Sequence, residues 1–541
     1  MGKRSFSLGP AVLVTAAFIG PGTLMAASSA GARFGYQLLW AVAFSVFATV
    51  VLQEMASRLG IATGTGLSES LKRSISSFPL RVCALALVLL AIFVGNSAYQ
   101  TGNILGAASG LNSAYSKIET ADDEKEMSPD TTSKSNSSLN GDSERSSDEK
   151  SLGFQNYVVW FVAAVALCVV WIGRFDVLQW LLTALVVLMS LLFIVAAMRS
   201  GADWQQVMSG FVPRIPSGAG WIVIGLVGTT VVPYNLFLHA SAAARRWNFE
   251  NEKQLQDGDK TYARAIVESR LDTIVSVVVG GVITCAILIT ASAAFHGSGE
   301  AAGLSKVSDV ARQLEPALGS WAKQLFSLGL LAAGLTSAIT APIAAAYAAS
   351  GCFGWSGKLS DARLKIVASI VVLTGALFAV KFGSSPKETI ILAQVANGLL
   401  LPIVAVALLV LTNDRRLMKN CKNRWLANIL AVLVILVVSV IAINQFRKVA
   451  DKIWAVQKAE VATTSIFRLE RSPIAHSVIK PMSQNEIPIF ISRLGLPFMS
   501  STTIFDCCHR QHKFHFLRSR RNKECRFQSK FAIALHHRRL T

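Results

Sequence analysis

Hydrophobic residues occur in runs of about twenty along most of the chain, and short polar connections separate these runs. A helix of about twenty apolar residues is long enough to cross the hydrocarbon core of a bilayer. The pattern therefore predicts an all-α polytopic membrane protein, because an isolated helix satisfies its own backbone polar groups in lipid. We number the eleven predicted spans in chain order: 10–30, 37–57, 81–110, 154–173, 176–199, 220–243, 270–293, 322–349, 365–382, 388–411 and 424–444.

Two of these spans are interrupted by residues that continue a helix poorly. Span 1 contains Pro21 and Gly22 after Gly20, and span 6 contains Pro233. Proline removes a backbone donor and clashes with the preceding turn, so both helices are expected to break. A matched pair of broken spans in the two halves of a chain points to a transporter's binding site near the middle of the membrane. A pair of ordinary proline kinks is the alternative interpretation.

Composition agrees with a membrane-embedded core, since 52% of the residues are hydrophobic and 16% are charged. The first apolar run is interpreted as a span rather than a signal peptide, because it is long and many spans follow it. No nucleophile–base set and no phosphate-binding loop is present, so an enzyme is not expected. The expected partners are the lipid bilayer and a transported substrate, with no cofactor and no nucleic acid.

Basic residues collect in alternate connections, which predicts the orientation of the chain. By the positive-inside rule the N-terminus and these loops are cytoplasmic, in a multi-pass protein of the plasma (inner) membrane. The loops concerned are 58–80, 244–264, 350–365 and 412–424. The segment 113–150, rich in Ser, Asp and Glu, falls on the opposite side, where its few apolar residues predict a disordered loop.

The tail, residues 446–541, departs from this pattern. From residue 451 onward it holds sixteen Lys and Arg against six Asp and Glu, which is half of the net charge of +20. His509, His512 and His515 follow Cys507 and Cys508, but their spacing matches no standard zinc module. We expect residues 1–445 to form the transporter domain and the tail to be disordered or atypical, for example the product of a shifted reading frame.

Five blocks of sequence are distinctive. They are ARFGYQLLW at 32–40, RLGIATG at 58–64, PYNLFLH at 233–239, LLAAGLTS at 330–337 and TNDRRLM at 412–418. These blocks, in this order, resemble the Nramp family of divalent metal transporters. The resemblance covers about residues 8 to 445 and implies the LeuT-like fold, with spans 1–5 and 6–10 as inverted repeats and helix 11 in addition.

The chain departs from this family at the residues that bind metal. The family's Asp-Pro-Gly-Asn reads GPGT at 20–23 here, and its Met-Pro-His-Asn reads VPYN at 232–235. By position, Gly20 replaces the carboxylate ligand, Thr23 the amide and Val232 the thioether. The resemblance implies a substrate site that also includes a backbone carbonyl and a polar residue of span 10. The full set of expected site residues is Gly20, Thr23, Thr229, Val232, Tyr234, Asn235 and Gln394.

The family's proton-coupling groups are also replaced. Asn96 and Tyr99 stand at its acidic third-span positions, and Tyr234 stands at its sixth-span histidine. None of these side chains changes charge near neutral pH, so weak proton coupling is expected. Glu54 is the remaining acidic coupling candidate within a span, because intramembrane ionisable groups are costly and usually functional. Its alternative role is that of a solvated residue at the cytoplasmic end of span 2.

These replacements predict a changed substrate. Without the thioether, the preference for soft transition metals has no evident source. Without the carboxylate, a dehydrated divalent ion lacks compensation in a site of low dielectric. Mg²⁺ keeps much of its water shell and accepts oxygen ligands, so a hydrated Mg²⁺ fits better. Two alternatives stay open: a small anionic or zwitterionic solute held by half-helix N-termini, and a non-transporting sensor of the same fold.

Overall fold

A computed structural model of the protein describes residues 20–126, 140–173, 176–247, 258–297, 307–355, 360–445 and 447. All regular structure in these residues is helical, as predicted. The long helices are Pro21–Phe34, Leu39–Thr63, Phe78–Glu126, Asn140–Ile172, Asp176–Arg199, Gly220–Thr230, Pro233–Arg246, Gly258–Phe295, Ala322–Phe353, Ala362–Phe382, Pro386–Asn413 and Trp425–Gln445. The shorter ones are Gly35–Leu38, Leu67–Ser74, Trp204–Ser209, Val307–Leu314, Glu315–Leu318, Gly319–Trp321, Arg415–Met418 and Lys419–Cys421.

The described residues contain ten stretches that are long and apolar enough to cross a membrane. The first stretch, Pro21–Thr63, includes both the later part of span 1 and the whole of span 2, so the stretches correspond to the eleven predicted spans. The helices of spans 3, 4 and 7 are longer than predicted, at Phe78–Glu126, Asn140–Ile172 and Gly258–Phe295. Hydropathy detects only the apolar part of a helix, and polar residues can continue the helix beyond it.

Several predictions fall partly or wholly outside the described residues. Helices extend into the segment 113–150 from both ends, up to Glu126 and from Asn140, and residues 127–139 lie outside the description. Residues 1–19, with the first part of span 1, also lie outside it. Apart from Arg447, so does the whole tail, and the predictions for its character stay predictions.

Spans 1 and 6 lie in the interior of the bundle. Every residue from Gly20 to Ala32 is buried, and so is every residue of Gly220–Thr230 except Trp221. Spans 9 and 11, in contrast, expose large apolar side chains such as Leu377 and Trp425. Small residues permit the close helix contacts of the interior, as expected for helices packed in a membrane. Span 1 from Gly20 onward and the first half-helix of span 6 are therefore surrounded by protein rather than by lipid.

Candidate functional site

Span 1 is not helical at Gly20. Its backbone is extended there (φ −112°, ψ −176°), and Pro21 occupies the first position of the next helix. Proline fits this position because its missing N–H would have no partner inside the helix. The amides of Thr23 and Leu24 donate to the Gly20 carbonyl at 3.1 and 3.2 Å. The helix that we predict before Gly20 lies outside the described residues.

Span 6 is interrupted as predicted. Helix Gly220–Thr230 ends in Val231 (φ −98°, ψ 70°) and Val232 (φ −76°, ψ 123°), and Pro233 begins the second half-helix. The last carbonyls of the first half-helix have no amide one turn further on. The site therefore receives the negative end of one half-helix dipole and the positive end of the next.

The non-helical start of span 1 at Gly20, where we predict the break, and the interruption of span 6 face each other. The hydroxyl oxygens of Thr23 and Thr229 are 2.8 Å apart, and both side chains are buried. Thr23 lies in the first turn after the break of span 1, and Thr229 lies in the last turn before the break of span 6. Two expected site residues that are 206 positions apart in the sequence are thus in direct contact.

Gln394 of span 10 lies against the break of span 1. A Cβ added to Gly22 would overlap with the side-chain amide of Gln394, so any larger residue at this position would require the amide to move. On the span 6 side, a Cβ at Gly228 would lie 1.9 Å from the Gln394 backbone carbonyl. The Gln394 side chain is fully buried, and its Oε1 has no hydrogen-bond partner among the described residues. Glycines in spans 1 and 6 therefore bring span 10 to the site.

Tyr99 connects span 3 to both breaks. Its ring packs edge-to-face on the ring of Tyr234, with the centroids 5.4 Å apart. Its hydroxyl would be 3.5 Å from a Cβ placed on Gly20. The coupling candidate Tyr99 and the substrate candidate Tyr234 therefore form one buried aromatic pair beside the break of span 1.

Several buried amides keep spare hydrogen-bonding capacity. Both side-chain polar atoms of Asn235 and of Asn96 lack a hydrogen-bond partner in the described part of the chain. A buried polar group without a hydrogen-bond partner costs about 1–3 kcal/mol of stability. Such groups are therefore expected at positions that bind water or a ligand.

Four further buried polar residues were not predicted from the sequence, although polar residues within membrane spans often indicate a functional site. These are Asn103, His239, Ser337 and Asn397.

The side chains gathered at the breaks are neutral. Gly20 has no side chain, Val232 is buried and offers no donor atom, and Thr23 and Thr229 bond to each other. Among the residues described, no group of three or more His, Cys, Asp or Glu side chains is placed to hold a metal ion. Any cation bound here would meet hydroxyls, amides, carbonyls and helix ends.

Glu54 belongs to a separate cluster of ion pairs. Its carboxylate accepts hydrogen bonds from Arg58 Nε and Nη2, both at 3.1 Å, and from Arg270 Nη2 at 2.8 Å. Arg58 also donates to the Cys421 carbonyl at 2.9 Å and to Asn423 Oδ1 at 2.6 Å. The Glu54 side chain is 14% exposed. This carboxylate is therefore neither fully solvated nor unpaired, and it joins spans 2 and 7.

Known proteins resemble this chain over most of its length. The profile of the family described as "Natural resistance-associated macrophage protein-like" (Nramp) matches residues 11–120 and 152–447. The divalent metal cation transporter MntH of Verminephrobacter eiseniae is 28% identical over 430 residues, covering 79% of this chain and 85% of that protein. MntH 1 of Pseudomonas aeruginosa is 28% identical over 442 residues, covering 79% and 88%. A crystal structure of the Eremococcus coleocola manganese transporter aligns with a TM-score of 0.62 at 19% identity, covering 90% and 91%, and this likeness identifies the fold.

Proposed function

The chain belongs to the Nramp family, and we propose that it is a secondary transporter of a divalent metal cation whose site is altered away from Mn²⁺ and Fe²⁺ towards hydrated Mg²⁺. The relatives support the class of substrate, because they are named divalent metal cation transporters. They are transporters rather than enzymes. The chain is a multi-pass membrane protein, so the cation would move through the helix bundle.

The neutrality of the site is the observation that carries the choice of cation. A divalent ion that has lost its water needs compensation of many kcal/mol in a dry site, normally from a carboxylate. Gly20 supplies no charge, and Val232 supplies no sulfur for a soft metal. An ion that keeps its inner water shell needs only oxygen contacts to that water. Mg²⁺ dehydrates reluctantly and is usually bound in this way.

The groups at the breaks suit the outer surface of a hydrated cation. Water on a cation points its hydrogens outward, so the surrounding protein must offer acceptors. The Gln394 Oε1 and the Asn235 Oδ1 are buried acceptors without a hydrogen-bond partner among the described residues. The C-terminal end of helix Gly220–Thr230 adds a partial negative charge from its last carbonyls. These neutral groups support binding without any ionised ligand.

Flux measurements with the purified protein in liposomes test this proposal. We expect saturable Mg²⁺ uptake, with Mn²⁺ taken up less efficiently. Thr23→Val should lower Mg²⁺ uptake several-fold, because it removes a hydroxyl from the facing breaks. Thr284→Val is the matched control, since Thr284 is equally buried but bonds only to the Gly280 carbonyl of its own helix.

The other outcomes distinguish the remaining functions. Efficient Mn²⁺ uptake at micromolar concentration would contradict the altered selectivity. Uptake of a small organic ion without cation flux would favour a solute transporter. Absence of any flux from a folded protein would favour a sensor of the same fold.

A further inference from the structure

Two hydroxyl groups occupy the space next to Gly20. A Cβ placed on Gly20 would lie 3.1 Å from the Ser337 Oγ and 3.5 Å from the Tyr99 hydroxyl oxygen. These oxygens are the two nearest atoms in the direction in which any side chain at position 20 must extend. Both belong to other helices, Ser337 to span 8 and Tyr99 to span 3.

The two hydroxyls form one fixed unit. Ser337 and Tyr99 are both fully buried, and the Tyr99 hydroxyl lies within hydrogen-bonding reach of the side chains of Tyr234 and Ser337. Packing of the Tyr99 ring on Tyr234, at 5.4 Å between centroids, limits movement of the phenol. We call Tyr99 and Ser337 the hydroxyl pair. It lies beside the non-helical Gly20, where span 1 offers backbone but no side chain.

A hydroxyl accepts hydrogen bonds as well as donating one. In a pair of bonded hydroxyls, each oxygen keeps at least one lone pair that the internal bond does not use. Water bound to a cation donates outward, so it can bond to these lone pairs, whereas a bare metal ion gains much less from neutral hydroxyls than from a carboxylate. The hydroxyl pair therefore offers acceptors to a hydrated ion at the position where the chain lacks a charged ligand.

We infer that the hydroxyl pair Tyr99–Ser337 receives the outward-facing hydrogens of ion-bound water beside Gly20, and that Ser337 is thereby a specificity-determining residue. This inference rests on the proposed transport of a hydrated divalent cation and adds a residue of span 8 to its site. It also explains how a site with a glycine at this position can be polar without being charged.

Substitutions of the two hydroxyls test the inference by their effect on the KM for Mg²⁺ uptake into proteoliposomes. Ser337→Ala should raise this KM about fivefold, with a smaller effect on the maximal rate, because the fold and the breaks are retained. Tyr99→Phe keeps the ring contact with Tyr234 and removes only the hydroxyl, so it should have a similar effect. The double variant should be less than additive, since both substitutions disrupt one hydrogen-bonded unit.

Ser327→Ala is the matched control. Ser327 lies in the same helix, is equally buried, and is ten positions away from Ser337. If Ser337→Ala melts at the same temperature as Ser327→Ala and also shows the same KM for Mg²⁺, the inference is overturned but the proposed function is not. If Ser337→Ala does not fold, a KM of Tyr99→Phe equal to that of Ser327→Ala overturns the inference instead. Absence of divalent cation uptake by the unmodified, folded protein would instead overturn the proposed function, and this inference with it.

Discussion

The facing breaks and the Glu54 cluster both place polar groups inside the helix bundle. They differ in whether those groups have hydrogen-bond or ion-pair partners. At the breaks the side chains are neutral, and Asn235 and Gln394 keep unused hydrogen-bonding atoms within the described structure. Around Glu54 the charges are paired, with Arg58 at 3.1 Å and Arg270 at 2.8 Å. Removal of one partner from a buried ion pair is strongly destabilising, because it leaves a buried charge without compensation. A buried polar atom without a hydrogen-bond partner instead calls for an explanation, such as a bound water or ion. We therefore propose that the Glu54 cluster stabilises the fold and that the neutral polar groups at the breaks form the site.

Removal of Arg58 should have the largest effect on stability. Arg58→Ala would leave the largely buried Glu54 with only Arg270 and would break the contacts to Cys421 and Asn423. Loss of one partner from a buried ion pair costs about 3–5 kcal/mol. We expect a large fall in the melting temperature in detergent. Arg73→Ala is the control, because the exposed Arg73–Glu69 pair should contribute about 0–1 kcal/mol. Equal melting temperatures for the two variants would contradict a structural role for the cluster.

The second prediction tests the neutral site at the facing breaks by introducing a charged side chain there. The triple change Gly20→Asp, Thr23→Asn and Val232→Met should raise Mn²⁺ or Cd²⁺ affinity by at least about tenfold, which corresponds to ~1.4 kcal/mol. A carboxylate and a thioether supply the charge and the soft ligand that the present site lacks. Calorimetry on both proteins measures this difference. Micromolar Mn²⁺ binding by the unmodified protein would mean that carbonyls and water suffice.

A third prediction concerns the contact of Gly22 with Gln394. Gly22→Ala places a Cβ 2.2 Å from the Gln394 Nε2 and should push this amide out of the site. We expect cation uptake to fall about fivefold, equivalent to ~1 kcal/mol, in a protein that still folds. Gly153→Ala is the control, because no atom lies within 4 Å of a Cβ at that position. Unchanged uptake by Gly22→Ala would show that Gln394 does not contribute to the site.

The fourth prediction is a small effect on proton coupling. Glu54 is engaged with two arginines, so Glu54→Gln should leave substrate-driven acidification of proteoliposomes as small as in the unmodified protein. Glu69→Gln, on an exposed pair, provides the comparison. A pH-sensitive dye inside the vesicles makes the measurement. Strong acidification that disappears in Glu54→Gln would make Glu54 the proton carrier. It would also contradict a purely structural role for the Glu54 cluster.

The smallest effect is expected from deletion of residues 113–150. This segment has few apolar residues to bury, so its ordering would not be offset by hydrophobic burial. Replacement by a short Gly-Ser linker should leave expression and melting temperature nearly unchanged. A large loss of folded protein would show that the segment packs against the bundle.

The sequence predicted the candidate site only in part. Gly20, Thr23 and Thr229 were expected at the site, and the two threonines are in contact. The sequence did not predict that Ser337 would lie next to Gly20, because a serine within an apolar span is common and its direction depends on how span 8 packs. Glu54 was considered both as a coupling residue and as a solvated one. Its arginine partners come from the same helix and from span 7, and the second could not be inferred from local spacing.

Local properties were sufficient for the helical spans, since apolar runs form helices in lipid because the backbone has no other partner there. They were not sufficient for the interruptions. Pro233 begins a new half-helix, whereas Pro342 and Pro402 lie within continuous helices. Contacts between distant segments were decided only by folding. Thr23 meets Thr229, and Gln394 fits against Gly22, because small residues let the helices approach closely. Such contacts depend on how several helices pack at once, and no single stretch of sequence contains that information.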